Sequence, residues 1–245
     1  MQKILIITGG SHGIGEAVIN EYHQHGYTIF SIARSSNPTF TSGSIQQIQY
    51  DLSCTEGIEE LLQKIFDQLT TQPSGITLIN NAATLGKVGR IEHTSAGEVH
   101  QQIQLNTLAP IVLTSAFIRY SGRWICRRNI INISSHAAVK PTYGWSVYCS
   151  TKAALDMFTK VVAIEQESLE NGIKIIAIHP GTVDTEMQAT IRSTDRADFK
   201  DVEAFNHLKS SGLLADPKTI ATKIYLTGQD ENIPNGSIVD LKKMQ

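Results

Sequence analysis

Tyr148 and Lys152 stand four residues apart in the run Tyr148-Cys149-Ser150-Thr151-Lys152. On a helix that spacing puts both side chains on one face. A free tyrosine titrates near 10, whereas a proton donor working at neutral pH belongs near 7, a gap of about 4 kcal/mol. One ammonium about 4 Å away supplies roughly that much at an effective dielectric near 20. The expectation is a Tyr148 acid whose pKa is lowered by Lys152 in a partly dry site. The other reading is a solvent-facing pair.

A second group is the turn Thr8-Gly9-Gly10-Ser11-His12-Gly13-Ile14-Gly15, directly after an apolar run. Gly9, Gly13 and Gly15 permit a tight turn and close backbone approach to a pyrophosphate, and the helix that follows adds free N–H groups and a positive dipole end. Ser11, His12 and Ile14 fill the same turn and are candidate cofactor contacts. The spacing is G-x-x-x-G-x-G, not the G-x-G-x-x-G of the commonest dinucleotide fold. Charge then chooses the dinucleotide. A site for NAD places an acid at the end of the second strand. Here that strand ends Ser31-Ile32-Ala33-Arg34-Ser35-Ser36, with no acid and a basic Arg34. An arginine–phosphate contact is worth roughly 1.5–3 kcal/mol, about ten- to hundredfold in preference. NADPH/NADP+ is the expected coenzyme.

Elements must hold these groups in place. Residues 4–7, 29–33, 76–79, 130–133 and 173–178 are short isoleucine-rich runs without polar alternation. Such runs suit strands buried on both faces of a parallel sheet. Helix-length segments lie between them at 14–25, 56–69, 96–120 with Pro110 interrupting, and 146–170. A last helix near 217–228 and a strand near 237–241 complete the alternation. The pattern predicts an α/β fold: a Rossmann-type doubly wound sheet of about seven parallel strands, helices on both faces, in a single domain over 1–245. Residues 185–212 depart from the alternation. They are read either as a helical lid over the substrate or as a surface excursion packing its own small core.

The bulk numbers agree. A chain of 245 residues with 41% hydrophobic and 18% charged residues has the make-up of one globular domain and needs no disulfide or metal staple. A formal net charge of −2 gives no reason to expect a nucleic-acid or membrane partner. Cys54, Cys126 and Cys149 are odd in number and irregular in spacing, so reduced thiols in a cytoplasmic protein are expected and no metal site is. Only four apolar residues separate Lys3 from Thr8, too few for a secretory core.

The ordered series of motifs resembles the short-chain dehydrogenase/reductase family over nearly the whole chain. In that family the tyrosine matching Tyr148 is the catalytic acid/base, and the lysine matching Lys152 lowers its pKa and holds the nicotinamide ribose. The resemblance makes Ser135, thirteen residues before Tyr148, the serine that polarises the substrate carbonyl, with Ser134 its alternative. It makes Asn106, in Leu105-Asn106-Thr107-Leu108-Ala109-Pro110, the support of a proton-relay water. Asn80-Asn81-Ala82-Ala83 resembles the family's Asn-Asn-Ala-Gly segment, with Ala83 in place of glycine, and implies cofactor contacts at Asn81 and Ala82. Pro180-Gly181-Thr182-Val183-Asp184-Thr185 resembles the nicotinamide-binding turn, in which Val183 and Thr185 meet the carboxamide. Asp51 and Leu52 resemble the pair that meets the adenine, and His12 stands where NADPH-preferring relatives often carry a basic residue.

Two stretches narrow the resemblance to the sepiapterin reductase/benzil reductase branch: Tyr143–Lys152, and Asp184-Thr185-Glu186-Met187-Gln188 followed by Ile191-Arg192-Ser193. Tyr143 and Trp145 either form an aromatic wall for a flat substrate or pack their loop onto the core. Met187, Phe199 and Phe205 are a candidate apolar roof. Asp240 resembles the aspartate that anchors the pterin amino group in sepiapterin reductases, and is otherwise a local backbone cap. The reading is NADPH-dependent reduction of a ketone or vicinal dicarbonyl, a small-molecule carbonyl substrate, with Tyr148 as proton donor. A non-catalytic NADP(H) sensor or scaffold and an NAD-linked alcohol dehydrogenase are the competing readings. By analogy with the family, the helices at 96–120 and 146–170 pair copies into a homodimer or homotetramer.

Overall fold

The computed structural model describes residues 2–244. Among them seven strands form one sheet: β1 (Lys3–Thr8), β2 (Tyr27–Ala33), β3 (Ile45–Gln49), β4 (Gly75–Asn80), β5 (Arg127–Ile133), β6 (Lys174–His179) and β7 (Ile238–Asp240). Their order is β3-β2-β1-β4-β5-β6-β7, and every neighbouring pair is parallel. The isoleucine-rich runs fold this way because both faces are covered. On β1, Ile4 and Ile6 enter one core cluster and Leu5 and Ile7 the other. Each such side chain, removed from water, contributes roughly 1.5–3 kcal/mol.

One face carries α2 (Ile58–Asp67), α4 (Ala109–Ser121) and α5 (Ser146–Glu167), packed through Leu62, Phe66, Leu113, Phe117 and Val162. The other carries α1 (Gly13–Gln24) and α8 (Pro217–Gln229), packed through Val18, Tyr22, Ile220 and Ile224. The strand order reverses between β1 and β4, and a crevice opens there beyond the carboxyl ends of the strands.

The segment expected to break at Pro110 does not break. Ser95 and Glu98 form a reciprocal capping box that starts α3 (Ala96–Ile103). The chain then widens into a π turn over Gln104–Leu108 and continues as α4. Pro110 is the second residue of α4, where a missing N–H is tolerated. What it does remove is one backbone donor at the end of the π turn, where Ala109 N reaches back five residues to the Gln104 carbonyl. The 185–212 excursion contains two helices, α6 (Glu186–Arg192) and α7 (Val202–Ser210). Its two stems are joined: Val183 bridges Ala215, Asp184 N donates to the Ala215 carbonyl, and Ala215 N donates to the Thr182 carbonyl. Among the described residues no helix is long and apolar enough to cross a membrane.

Candidate active site

The two strand ends and one helix face that meet at the crevice bring Ser135, Tyr148 and Lys152 together. Ser135 ends the β5 segment and caps a short 3-10 turn over His136–Ala138. Its hydroxyl accepts from Ala137 N at 3.2 Å, and it lies near enough to the Tyr148 phenol to pull that phenol's pKa down. Ser134 is buried and its hydroxyl donates to the Lys152 carbonyl at 3.4 Å. Lys152 lies one turn beyond Tyr148 on α5, with Nζ 5.8 Å from the phenol ring centroid, and donates to the Ile133 carbonyl at 2.8 Å. Asn106, in the π turn, uses its amide structurally: Oδ1 accepts from Thr84 N at 2.8 Å, while Nδ2 donates to the Thr84 carbonyl and to Thr151 Oγ1.

The electrostatics correct one expectation. Burial pushes the Tyr148 phenol up to about 12, against the opposing pull of the Ser135 hydroxyl. Burial also pushes Lys152 down to about 8, against the pull of Asp156. Burial is the largest influence on the phenol, and the Lys152 ammonium is directed at a backbone carbonyl and is not among the groups that lower it. Tyr148 is therefore a neutral phenol at pH 7, not an activated one.

The glycine turn is built against its neighbours. Gly9 and Gly13 have φ of 67° and 60°, open to glycine at little cost. A Cβ on Gly15 would lie 2.1 Å from the Gly9 carbonyl oxygen, and one on Gly9 would lie 2.9 Å from Ala82 Cα. Asn81 ties the turn to the end of β4, its Nδ2 donating to the Thr8 and Gly9 carbonyls. Ala83 needs no left-handed backbone, since among the described residues no non-glycine has a positive φ. The Arg34 loop is joined to the same turn: Asn37 Nδ2 donates to the Ser11 carbonyl, and Ser35 Oγ approaches Ser11 Oγ. Asp51 is held below the ordinary carboxylate range by two hydrogen bonds from Ser53 and by the Arg34 charge. His12 caps α1, with its ring between Ser11 Oγ at 3.2 Å and Glu186 Oε2 at 3.4 Å.

Most of these groups border one cleft of about 630 Å³, whereas Asn106 is not on its wall and borders a small internal space beside Lys152. Gly9, Ser11, His12, Gly13, Ile14, Gly15, Arg34, Asp51 and Leu52 line one end, and Ser135, Tyr148, Lys152, Pro180, Gly181, Val183 and Thr185 the other, with Asn81 and Ala82 also on its wall. A continuous cleft with a helix N-terminus and side-chain-free glycines in mid-course fits an extended dinucleotide. Arg34 and Asp51 would hold its adenosine end, the glycine turn its pyrophosphate, and Lys152 and the Pro180–Thr185 turn its nicotinamide end.

The substrate end departs from expectation. Trp145 does line the cleft, and it also packs: its ring stacks on Phe199 at 5.2 Å and meets Tyr148 edge-on at 5.6 Å. Met187 and Phe205 line the cleft, while Phe199 is wholly buried behind Trp145. Tyr143 is not on the wall. Gly144, at φ 80°, turns the chain so that Tyr143 lies under the Lys200 ammonium, 4.5 Å from its ring centroid. Asp240 is not on the wall either; its carboxylate caps the chain end by accepting from Lys242 N at 3.0 Å. Lys242, two residues on, is the residue that reaches the cleft, its stem lying against Gly181. Lys140, which no motif marks, also lines it, as do Glu186 and Gln188, which stand in the Asp184–Gln188 stretch without being named as site residues.

A family model described as short chain dehydrogenase matches residues 3–196. The chain is 36% identical over 244 residues to a benzil reductase ((S)-benzoin forming) of Bacillus cereus, covering 97% of this chain and 98% of that one. It is 32% identical over 202 residues to the sepiapterin reductase of Bos taurus, covering 80% of this chain and 73% of that one. Among solved structures, ElxO with NADP bound superposes with a TM-score of 0.80 at 26% identity, covering 98% of this chain and 97% of that one.

Proposed function

The chain belongs to the short-chain dehydrogenase family, a family of oxidoreductases that bind a nicotinamide cofactor, and on that footing we propose that it is an NADPH-dependent carbonyl reductase. The observation that carries the reading is the Ser135–Tyr148–Lys152 group facing the same cleft as the glycine turn and Arg34. When bound, the reduced nicotinamide supplies the hydride. Ser135 hydrogen-bonds the substrate oxygen and Tyr148 gives it a proton. Lys152 holds the ribose side of the site, and Asn106, tied to Thr84 and Thr151, is the residue proposed to support the proton supply.

Burial keeps Tyr148 protonated, the form that reduction of a carbonyl needs. An alkoxide is about as basic as hydroxide, near 16 on the water scale, so a phenol at about 12 still gives up its proton downhill. Oxidation of an alcohol would need the phenolate, which burial disfavours. Arg34, with no acid at the end of β2, supports NADPH over NADH. A ketone or vicinal dicarbonyl with aryl groups is the proposed substrate: Trp145, Met187 and Phe205 give an apolar wall, and Asp240 is not on the wall of the cleft. A coenzyme sensor without turnover has no use for the phenol.

Copies are proposed to pair through α5, where Met157, Val161 and Ile164 form an exposed apolar stripe at 59%, 45% and 70% exposure. The three cysteines are unpaired, which fits the reducing cytoplasm as the proposed setting. The test is NADPH consumption against benzil, a panel of 1,2-diones and sepiapterin, in parent and Tyr148→Phe. The variant is expected to lose at least about a thousandfold in turnover while NADPH binding is kept. Parent-like turnover in Tyr148→Phe would refute the mechanism.

A further inference from the structure

Behind Tyr148 and Lys152 lies a buried acid that the proton-donor reading does not use. Asp156 follows Lys152 by four residues, as Lys152 follows Tyr148, so the three share one face of α5. All three are buried, Asp156 at 6% exposure. A buried carboxylate needs partners. Oδ2 accepts from His179 Nε2 at 2.9 Å, and His179, the last residue of β6, is itself 4% exposed. Oδ1 has no hydrogen-bond partner among the described residues.

The positive charge one turn away is Lys152. Its ammonium is fixed on the Ile133 carbonyl, and Ile133 pairs with Ile178, the neighbour of His179. The ends of β5 and β6 thus anchor both groups, Lys152 through the Ile133 carbonyl and Asp156 through His179. Other titratable groups near by are Tyr148 on the same helix, His179 on β6, and His136 on the 3-10 turn, whose ring meets that of His179 edge-on at 6.3 Å. The small internal space beside Lys152 is lined from β1, β4 and the π turn by Thr8, Asn80 and Asn106, which carry no charge. Among the described residues Asp156 is the one anion placed to act on this buried ammonium, and its field opposes the effect of burial there.

We propose that Asp156, oriented by His179, is the counter-charge that keeps Lys152 an ammonium at its post on Ile133, so that the Asp156–His179 pair is a positioning unit for the Tyr148–Lys152 couple. It rests on the reading of Lys152 as a working part of the site, but its test needs neither substrate nor coenzyme. The measurement is the titration midpoint of Lys152 by lysine side-chain NMR in the free protein, with the signal assigned through Lys152→Met. Asp156→Asn is expected to lower the midpoint by about one to two pH units, a ten- to hundredfold change in the proton equilibrium. His179→Gln, which keeps an N–H donor for the carboxylate, is expected to leave it near the parent value. The alkaline limb of the turnover profile should move down with the midpoint in Asp156→Asn, which a merely structural loss would not do. Should that variant fail to fold, Asp156→Ser is read for the same outcomes. An unchanged Lys152 midpoint in a folded variant overturns the proposal and leaves the donor reading of Tyr148 standing. An active Tyr148→Phe enzyme would remove the donor reading and leave a shifted midpoint standing.

Discussion

Gly15→Ala tests whether the glycine turn has any slack. Gly15 sits in the first turn of α1 at an ordinary helical φ, so the backbone accepts alanine and the objection is one of space. The new methyl would stand 2.1 Å from the Gly9 carbonyl oxygen and 2.7 Å from Asn81 Nδ2. A carbon–oxygen contact needs about 3.3 Å, so the two backbone segments must part by about 1 Å. Overpacking of this kind costs about 1–3 kcal/mol, and straining the Asn81-to-Gly9 hydrogen bond adds about 0.5–1.5. Better helix propensity returns at most about 1 kcal/mol. The net expectation is a loss of about 1–3 kcal/mol, or roughly 3–10 °C in Tm for a chain of this length. The cradle for the pyrophosphate moves with the backbone, so the Kd for NADPH should rise at least about tenfold. Gly97→Ala is the control: a Cβ there has nothing within 4 Å, and the variant should keep the parental affinity and lose no stability, gaining up to about 1 kcal/mol from helix propensity. Thermal unfolding by circular dichroism and calorimetric NADPH titration measure the two effects. A Gly15→Ala protein with parental Tm and parental affinity would refute the argument that this turn is closed by contact and holds the dinucleotide.

Arg34→Asp should lower the preference for NADPH over NADH by about ten- to hundredfold in kcat/KM, from the loss of an arginine–phosphate contact; an unchanged ratio would remove Arg34 from the site. Lys152 bears on stability through pH. Its folded pKa, about 8, is below the ordinary 10.5, so between those values the unfolded chain binds more protons and stability rises with pH. The parent should therefore gain up to about 3 kcal/mol relative to Lys152→Met from pH 8 to pH 10.5 in urea unfolding, and a flat difference would contradict the buried ammonium. Ile164→Glu puts a charge in the exposed α5 stripe, and light scattering should show a smaller assembly than the parent if copies pair there. An unchanged mass would move the interface elsewhere.

The sheet was legible because its cause is local. Runs such as Ile4–Ile7 have no polar alternation, and only a strand covered on both faces tolerates that. The glycine turn and the Tyr148–Lys152 spacing were legible for the same reason, since backbone freedom and helical periodicity are written residue by residue. What depends on three-dimensional surroundings was not. Pro110 looked like a helix break, yet the chain answers with a π turn just before it. Tyr143 and Trp145 are two residues apart and were read together, but Gly144 sends them to different places. Asp240 reads like a pterin anchor, whereas its carboxylate meets Lys242 N. The rise in the Tyr148 pKa comes from burial by distant segments, which no local pattern of sequence records. Asp156 and His179, 23 positions apart, become partners only when α5 lies across the end of β6.

The joined stems of the 185–212 excursion have an evolutionary consequence. Because Val183 and Ala215 already meet, the cost of closing the loop between them is borne by the stem and changes little with what lies inside. Doubling such a loop adds only about 0.6 kcal/mol of closure entropy. On the proposed reading the segment between these stems is an interchangeable roof cassette, while the proton donor and its partners remain on α5 and in the segment that follows β5. A lineage can therefore acquire new carbonyl substrates by rewriting Met187, Ile191 and Phe205 without renegotiating its chemistry, and a transplanted roof spliced between Val183 and Ala215 should inherit that chemistry intact.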